Sequence, residues 1–195
     1  MTAAVEAVAV VAGDTYADDP LWRDIDSLSL DQDGSQLPFS ARLALENRWP
    51  RDYALLVIEE YKRFLYLMCR AGHPVTPSVE VDQAWHLHML YTRSYWQDLA
   101  PRLPIVPHHG PTEGGADEDE KFTDWYQKTL SSYQRVFGMT APRHVWPPAS
   151  IRFAPDQQFV FVDAGKVYMI SKRAMHEIVL PLGALGMILI GWLLA

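Results

Sequence analysis

Five residues between positions 82 and 109 have side chains that could bind a metal ion. Asp82, His86 and His88 stand in the segment VDQAWHLH, and His108 and His109 are adjacent in a later proline-rich stretch. A set of two imidazoles and one carboxylate suits zinc or non-haem iron. These five residues are therefore the candidate metal ligands.

Helical spacing limits which of these residues can bind the same ion. On a helix with about 100° per residue, Asp82 and His86 lie one turn apart, so the carboxylate could orient the imidazole and fix its tautomer. His86 and His88 lie roughly 200° apart and cannot share an ion on a regular helix. If these residues bind a metal, Asp82, His86 and one of His108 or His109 would form the set. His88 is an alternative member if its edge of the helix faces the loop.

Purely structural roles for the same residues are the favoured interpretation. Asp82 can hydrogen-bond to His86 or pair with Arg93, and His88 can be a buried histidine with satisfied hydrogen bonds. The adjacent histidine pair can bond to loop backbone, and acid–base chemistry without a metal is a further alternative. The sequence has no phosphate-binding loop, nucleophile elbow or Cys-x-x-Cys motif.

Amphipathic helices must position the candidate ligands. One broad face of the ligand-bearing helix is mostly apolar and aromatic, so we expect it to be buried; it comprises Val81, Trp85, His88, Met89, Thr92, Tyr95 and Trp96. Prolines at 101, 104 and 107 predict an extended loop before the histidine pair. Apolar spacing and capping residues predict helices at 39–47 (cap Ser40), 52–70, 78 to about 99 (cap Ser78) and 121–137.

The C-terminal part has a different pattern. Alternation around Asp163–Gly165 predicts a β-hairpin at 159–170. Residues Ile178–Ala195 carry no charge and, as a helix, would cover roughly 27 Å, which predicts a transmembrane helix in a lipid bilayer. Basic residues just upstream predict a single-pass membrane protein with its N-terminal domain in the cytoplasm; they are Lys166, Lys172, Arg173 and His176.

The sequence therefore predicts a mainly α fold in four parts. These are an N-terminal segment and loop (1–38), a compact helical domain (39–150), a hairpin with a juxtamembrane segment (151–177) and a membrane helix (178–195). The formal net charge of −7 argues against nucleic-acid binding. The single cysteine, Cys69, excludes a disulfide framework.

Four stretches resemble the glycine-rich-domain-containing-protein-like family, which has plant members and many bacterial membrane proteins. With the predicted membrane helix, the resemblance implies a bacterial membrane-anchored member. It covers roughly 39–148 and implies a fold and a motif, not a reaction, and no glycine-rich tract occurs within these 195 residues. Its most specific element is the Val-Asp-x-x-Trp-His-x-His run followed by Tyr95. The stretches are EYKRFLYL (Glu60–Leu67), VDQAWHLHMLYTRSYW (Val81–Trp96), HHGPTEGG (His108–Gly115) and YQKTLSSYQRVFG (Tyr126–Gly138).

Two functions are compatible with these features, and the first is favoured. The first is a membrane-tethered cytoplasmic scaffold or protein-interaction module, for which the aromatic-rich helices and the acidic stretch 113–120 would supply the binding surface. The alternative is a metal-binding protein or metal-dependent enzyme that uses zinc or non-haem iron at the candidate ligands.

Overall fold

Helices form the regular secondary structure of the residues that the computed structural model describes, which are 16–110, 116–154, 175–179 and 181. This part of the chain contains no strand, in agreement with a mainly α fold. The chain divides into two compact units, Met1–Gln157 and Gln158–Ala195. The helices are α1 (Pro20–Asp26), α2 (Phe39–Asn47), α3 (Arg51–Arg70), α4 (Val79–Leu90), α5 (Ala116–Phe137) and α6 (Ala149–Arg152). Shorter turns are 3-10 at Tyr16–Asp18 and Ala100–Arg102, and π-helical at Ser94–Leu99 and Met175–Val179.

Helix α3 is the centre of the first unit. It contacts α1, α2, α4 and α5. Its apolar residues recur at helical spacing, so Val57, Tyr61 and Phe64 all lie in the core. The predicted helix at 52–70 is confirmed with a start at Arg51, and Gly72 follows it with a φ of 75°, a conformation that favours glycine.

The N-terminal segment packs onto α3 through polar and apolar contacts. Asp19 caps α1 by accepting a hydrogen bond from the Leu21 backbone N–H at 2.9 Å. The same carboxylate accepts bonds from the Tyr66 hydroxyl and the Arg70 guanidinium, both at 2.8 Å. The pKa of Asp19 is lowered to about 2, chiefly by the hydrogen bond from Arg70. This one side chain therefore ties the start of α1 to the last turns of α3.

The start of α5 and the end of α4 differ from their predicted positions, and the predicted Ser40 cap of α2 was wrong. Helix α5 begins at Ala116 instead of Lys121. Helix α2 covers the predicted residues, but Pro38 occupies its cap position, and Ser40 lies within the helix. The hydroxyl of Ser40 donates instead to Asp31, whose other oxygen accepts the Ser40 backbone N–H. Asp31, nine residues upstream of Ser40, thus binds a backbone N–H in the first turn of α2, which is the role that was predicted for Ser40.

The largest correction concerns α4. It begins after the predicted cap Ser78, whose hydroxyl accepts the Val81 N–H at 3.2 Å. It ends at Leu90 and not near residue 99, because Tyr91 leaves the helical conformation with a ψ of 62°. The Tyr91 ring packs against Phe39 of α2 at a centroid distance of 5.3 Å. The break changes the register of the residues after Tyr91, so Thr92 and Trp96 are exposed although the pattern predicted them on the buried face.

The predicted features of the C-terminal part fall largely outside the described residues. The predicted hairpin at 159–170 lies wholly outside them, and only residues 178, 179 and 181 of the predicted membrane helix lie within them. Among the described residues, no helix has both the length and the apolar character that crossing a membrane requires.

Candidate metal centre

Asp82 lies between two histidines that approach it from different parts of the chain. His109 Nε2 is 2.8 Å from Asp82 Oδ1, a hydrogen bond in which the carboxylate accepts. His86 Nδ1 is 3.8 Å from Asp82 Oδ2. The two imidazole rings lie 4.4 Å apart between centroids. One ligand atom from each of the three residues lies within 4.8 Å of the other two. The structure thus brings together Asp82, His86 and the second histidine of the loop pair.

The beginning of α4 positions two of these side chains. The Ser78 cap fixes the first turn, and the Asp82 N–H makes its helical bond to the Ser78 carbonyl at 2.9 Å. A carboxylate in the first turn also interacts favourably with the helix dipole. Asp82 and His86 follow at a four-residue step on the edge of the buried face, which directs both side chains to the same surface.

His109 is contributed by the loop that follows the 3-10 turn Ala100–Arg102. The Tyr95 hydroxyl donates to the carbonyl oxygen of Pro107, two residues before His109. Trp85 Nε1–H in turn donates to the Tyr95 hydroxyl oxygen at 2.8 Å. The Trp85 ring also packs against the His109 ring at a centroid distance of 4.6 Å. The loop therefore contacts the same helix that carries Asp82.

The other two candidate ligands lie elsewhere. His88 is fully buried, with Nδ1 3.0 Å from the Tyr61 hydroxyl and Nε2 3.0 Å from the Ser94 hydroxyl. Burial lowers the pKa of His88 to about 4, so its ring is neutral near pH 7. His108 is exposed, and its backbone N–H bonds to the Val106 carbonyl at 2.9 Å. His88 thus has the buried, hydrogen-bonded role that the sequence left open as an alternative.

The three clustered side chains remain accessible to solvent to different degrees. The exposed fraction of the side chain is 21% for Asp82, 18% for His109 and 47% for His86. A ligand can therefore reach the cluster from the His86 side. The loop and Trp85 cover the opposite side.

A further charged residue is close enough to affect the centre electrostatically. Burial lowers the pKa of the Arg152 guanidinium, and the nearby carboxylates of Asp82 and Glu80 act in the opposite direction. The Arg152 Nε atom is buried without a hydrogen-bond partner among the described residues. The positive charge of Arg152 offsets part of the attraction that the Asp82 carboxylate exerts on a cation.

The geometry allows one kind of metal chemistry and disfavours another. Two imidazole nitrogens and one carboxylate oxygen suit zinc or iron(II), whereas calcium and magnesium prefer oxygen ligands. Three protein ligands leave coordination positions for water or another small ligand. To ligate through Nε2, His109 must carry its ring proton on Nδ1, and the metal ion would then take the place of the hydrogen bond between Nε2 and Asp82.

Residues that support the loop were not recognised as such from the sequence. Tyr95 was placed on the buried face, but its bond to the loop depends on the break at Tyr91 and the π-helical turn Ser94–Leu99. Only the proline spacing at 101, 104 and 107 indicated that the chain would turn back as a loop. No local pattern pairs the Tyr95 hydroxyl with the Pro107 carbonyl.

Comparisons with known proteins give a distant relationship. The chain is 28% identical over 86 residues to glycine-rich domain-containing protein 1 of Arabidopsis thaliana, covering 42% of this chain and 10% of that protein. It is 27% identical over 86 residues to glycine-rich domain-containing protein 2 of the same plant, covering 42% of this chain and 11% of that protein. The matched stretch thus spans about a tenth of the length of these curated relatives. No protein-family model and no solved structure matches the chain. The likeness supports a distant family relation to these plant proteins.

Proposed function

We propose that this protein binds a divalent transition metal, zinc or iron(II), through Asp82, His86 and His109. The observation that supports the proposal is the clustering of one ligand atom from each residue within 4.8 Å. Two of these residues come from one helical turn and the third from a loop 23 positions further along the chain than His86. Such a cluster needs tertiary structure, and it reproduces a donor set that transition metals favour.

The observed separations are close to those of a coordination sphere. With metal–ligand bonds of about 2.1 Å, tetrahedral ligand atoms lie about 3.4 Å apart. The separation of His86 Nδ1 and Asp82 Oδ2 is 3.8 Å and that of His109 Nε2 and Asp82 Oδ1 is 2.8 Å. Both separations thus differ from the tetrahedral value by about 0.6 Å or less.

An open coordination position extends the proposal from binding to catalysis. A zinc-bound water has a pKa of about 7 in favourable protein sites, and iron(II) held by two histidines and one carboxylate has free positions for oxygen or substrate. The half-exposed His86 side leaves room for such a ligand. We therefore also propose metal-dependent catalysis as the function of the occupied centre.

Metal content and affinity of the full-length protein test the proposal. We expect one zinc or iron per chain by elemental analysis, and a zinc titration by calorimetry with a stoichiometry of one. His86→Ala and His109→Ala should each weaken zinc binding at least 100-fold with an unchanged far-ultraviolet circular dichroism spectrum, because each removes one of three ligands.

His108→Ala is the matched control, since it removes the same side chain from the exposed neighbour of His109. We expect its zinc affinity to stay within threefold of the unaltered protein. The absence of stoichiometric metal in the full-length protein would refute the proposal. Equal losses in the His108 and His109 variants would also refute it, because they would indicate adventitious binding to loop histidines.

An interaction module is the second candidate, and exposed apolar side chains favour it. Leu90 at the end of α4, Val106 in the loop that carries His109 and Trp96 between them are exposed by 76%, 55% and 50%. Single exposed apolar residues are common, so this observation is the weaker one. Self-association measured by sedimentation and reduced by Leu90→Ser would support this candidate, and a concentration-independent monomer would contradict self-association through these side chains.

A further inference from the structure

We propose that Tyr95 is a positioning residue for the metal centre and that its hydroxyl holds the loop that delivers His109. The proposal rests on the metal-binding function proposed above and deepens it. In this inference, a buried hydrogen-bond relay from Trp85 through Tyr95 to Pro107 fixes the position of His109, the third ligand. None of the three relay residues is itself a ligand.

The relay is continuous from α4 to the loop. Trp85 Nε1–H donates to the Tyr95 hydroxyl oxygen at 2.8 Å, and the Tyr95 O–H donates to the Pro107 carbonyl oxygen. Both aromatic side chains are buried, at 5% and 1% residue exposure, so water does not compete for these bonds. A single phenol oxygen thus accepts from the helix and donates to the loop.

Trp85 has a second contact that links the relay to the ligand. Its ring packs edge-on against His109 at 4.6 Å between centroids. Trp85 also follows Asp82 by three residues on α4. The same indole therefore orients the phenol that holds the loop and limits the rotation of the imidazole that meets Asp82.

The loop depends on hydrogen bonds to the helices because its own backbone supplies few. Proline at 104 and 107 removes two N–H donors. Within the described stretch 104–110, the backbone–backbone hydrogen bond is that of the His108 N–H to the Val106 carbonyl. The Tyr95 bond to Pro107 and the Asp82 bond to His109 therefore connect this stretch to the helices.

The protonation state of Tyr95 fits the role of donor. Burial raises the pKa of Tyr95, while the hydrogen bond from Trp85 acts in the opposite direction. The phenol therefore stays protonated near neutral pH. Tyr95 reaches the carbonyl from the π-helical turn Ser94–Leu99, which begins after the end of α4.

Tyr95→Phe tests the proposal because it keeps the ring and removes only the hydroxyl. Substitution of an outer-shell residue typically lowers metal affinity 10- to 100-fold. We expect Tyr95→Phe to lower the zinc affinity of the full-length protein by that factor. The visible spectrum of bound cobalt(II), which reports the ligand set and geometry, should also change. Urea unfolding of the metal-free protein measures the accompanying loss of stability.

Tyr126→Phe is a closely matched control. Tyr126 is fully buried and its hydroxyl donates to the carbonyl oxygen of Pro147 at 2.7 Å, so the same chemical group is lost from the same kind of bond. We expect a similar loss of stability, a zinc affinity within threefold of the unaltered protein and an unchanged cobalt spectrum. A merely structural role for Tyr95 would give the two variants the same metal behaviour.

The outcomes separate the inference from the function on which it rests. If the unaltered protein binds one zinc and Tyr95→Phe binds it equally well, the positioning role is refuted and the metal centre stands. If the unaltered protein binds no zinc, both are refuted. Should Tyr95→Phe fail to fold, Trp85→Phe removes the indole donor and keeps an aromatic ring, and its zinc affinity must then fall at least fivefold or the relay is refuted.

Discussion

Replacing the buried carboxylate of Glu60 should destabilise the helical core more than any surface ion pair could. Glu60 on α3 is 1% exposed. Its Oε1 atom lies 2.6 Å from Arg63 Nη1 and 3.2 Å from the Tyr133 hydroxyl, and its Oε2 atom accepts the Trp146 indole N–H at 2.9 Å. Three donors from three parts of the chain thus converge on one side chain.

The structure sets the size of the effect. Glu60→Ala would leave a buried indole N–H and a buried phenol without an acceptor, and a guanidinium whose side chain is only 19% exposed without its counter-ion. Breaking a buried pair by removing one partner costs about 3–5 kcal/mol. Glu60→Gln keeps the volume and one oxygen acceptor but loses the charge, so we expect about 1.5–3 kcal/mol.

Urea unfolding followed by tryptophan fluorescence and circular dichroism measures both losses. Glu59→Ala is the matched control, because Glu59 is the neighbouring residue, its side chain is 47% exposed and its ion pair to Lys62 spans 3.7 Å. We expect that variant to lose less than about 1 kcal/mol. A double-mutant cycle with Tyr133→Phe should give a coupling of about 0.5–3 kcal/mol. The reasoning fails if Glu60→Ala costs no more than Glu59→Ala.

Two further predictions concern single side chains. The guanidinium of Arg70 holds the pKa of Asp19 at about 2. The ionised Asp19 carboxylate therefore stabilises the folded protein above about pH 4, and this stabilisation is lost as pH falls towards 2. Asp19→Asn should therefore cost about 1–2 kcal/mol at pH 7 and almost nothing at pH 2 in urea unfolding, and a pH-independent difference would contradict this cause. His88→Phe leaves the hydroxyls of Tyr61 and Ser94 without their partner and should cost about 1–3 kcal/mol. Calorimetry should nevertheless find zinc affinity within threefold of the unaltered protein, and loss of binding would instead make His88 part of the centre.

Helix α3 and the start of α4 show what local pattern can predict. The apolar residues of α3 recur at a spacing that forms one face of a helix, and this face is buried. The helix begins within one residue of its predicted start. The Ser78 cap is equally local, because a hydroxyl satisfies an N–H three residues later. The relation of Asp82 to His86 follows from the same helical geometry.

The end of α4 shows where local pattern is insufficient. No glycine or proline marks Leu90, and the continued aromatic spacing predicted a helix to about residue 99. The chain leaves the helix at Tyr91, whose ring packs against Phe39 of α2. A contact between residues 52 positions apart thus decides a boundary that nearby residues do not indicate.

The amino-acid sequence by itself determined the mainly α character of the described chain, the positions of its principal helices and the pairing of Asp82 with His86 on one turn. These follow from interactions within three or four residues, which helical geometry makes calculable. The tertiary structure decided that His109 and not His108 meets Asp82, and that His88 is buried against Tyr61. Those outcomes depend on where a proline-rich loop lands, and the Tyr95 hydroxyl and the packing of Trp85 fix that position through contacts between distant parts of the chain.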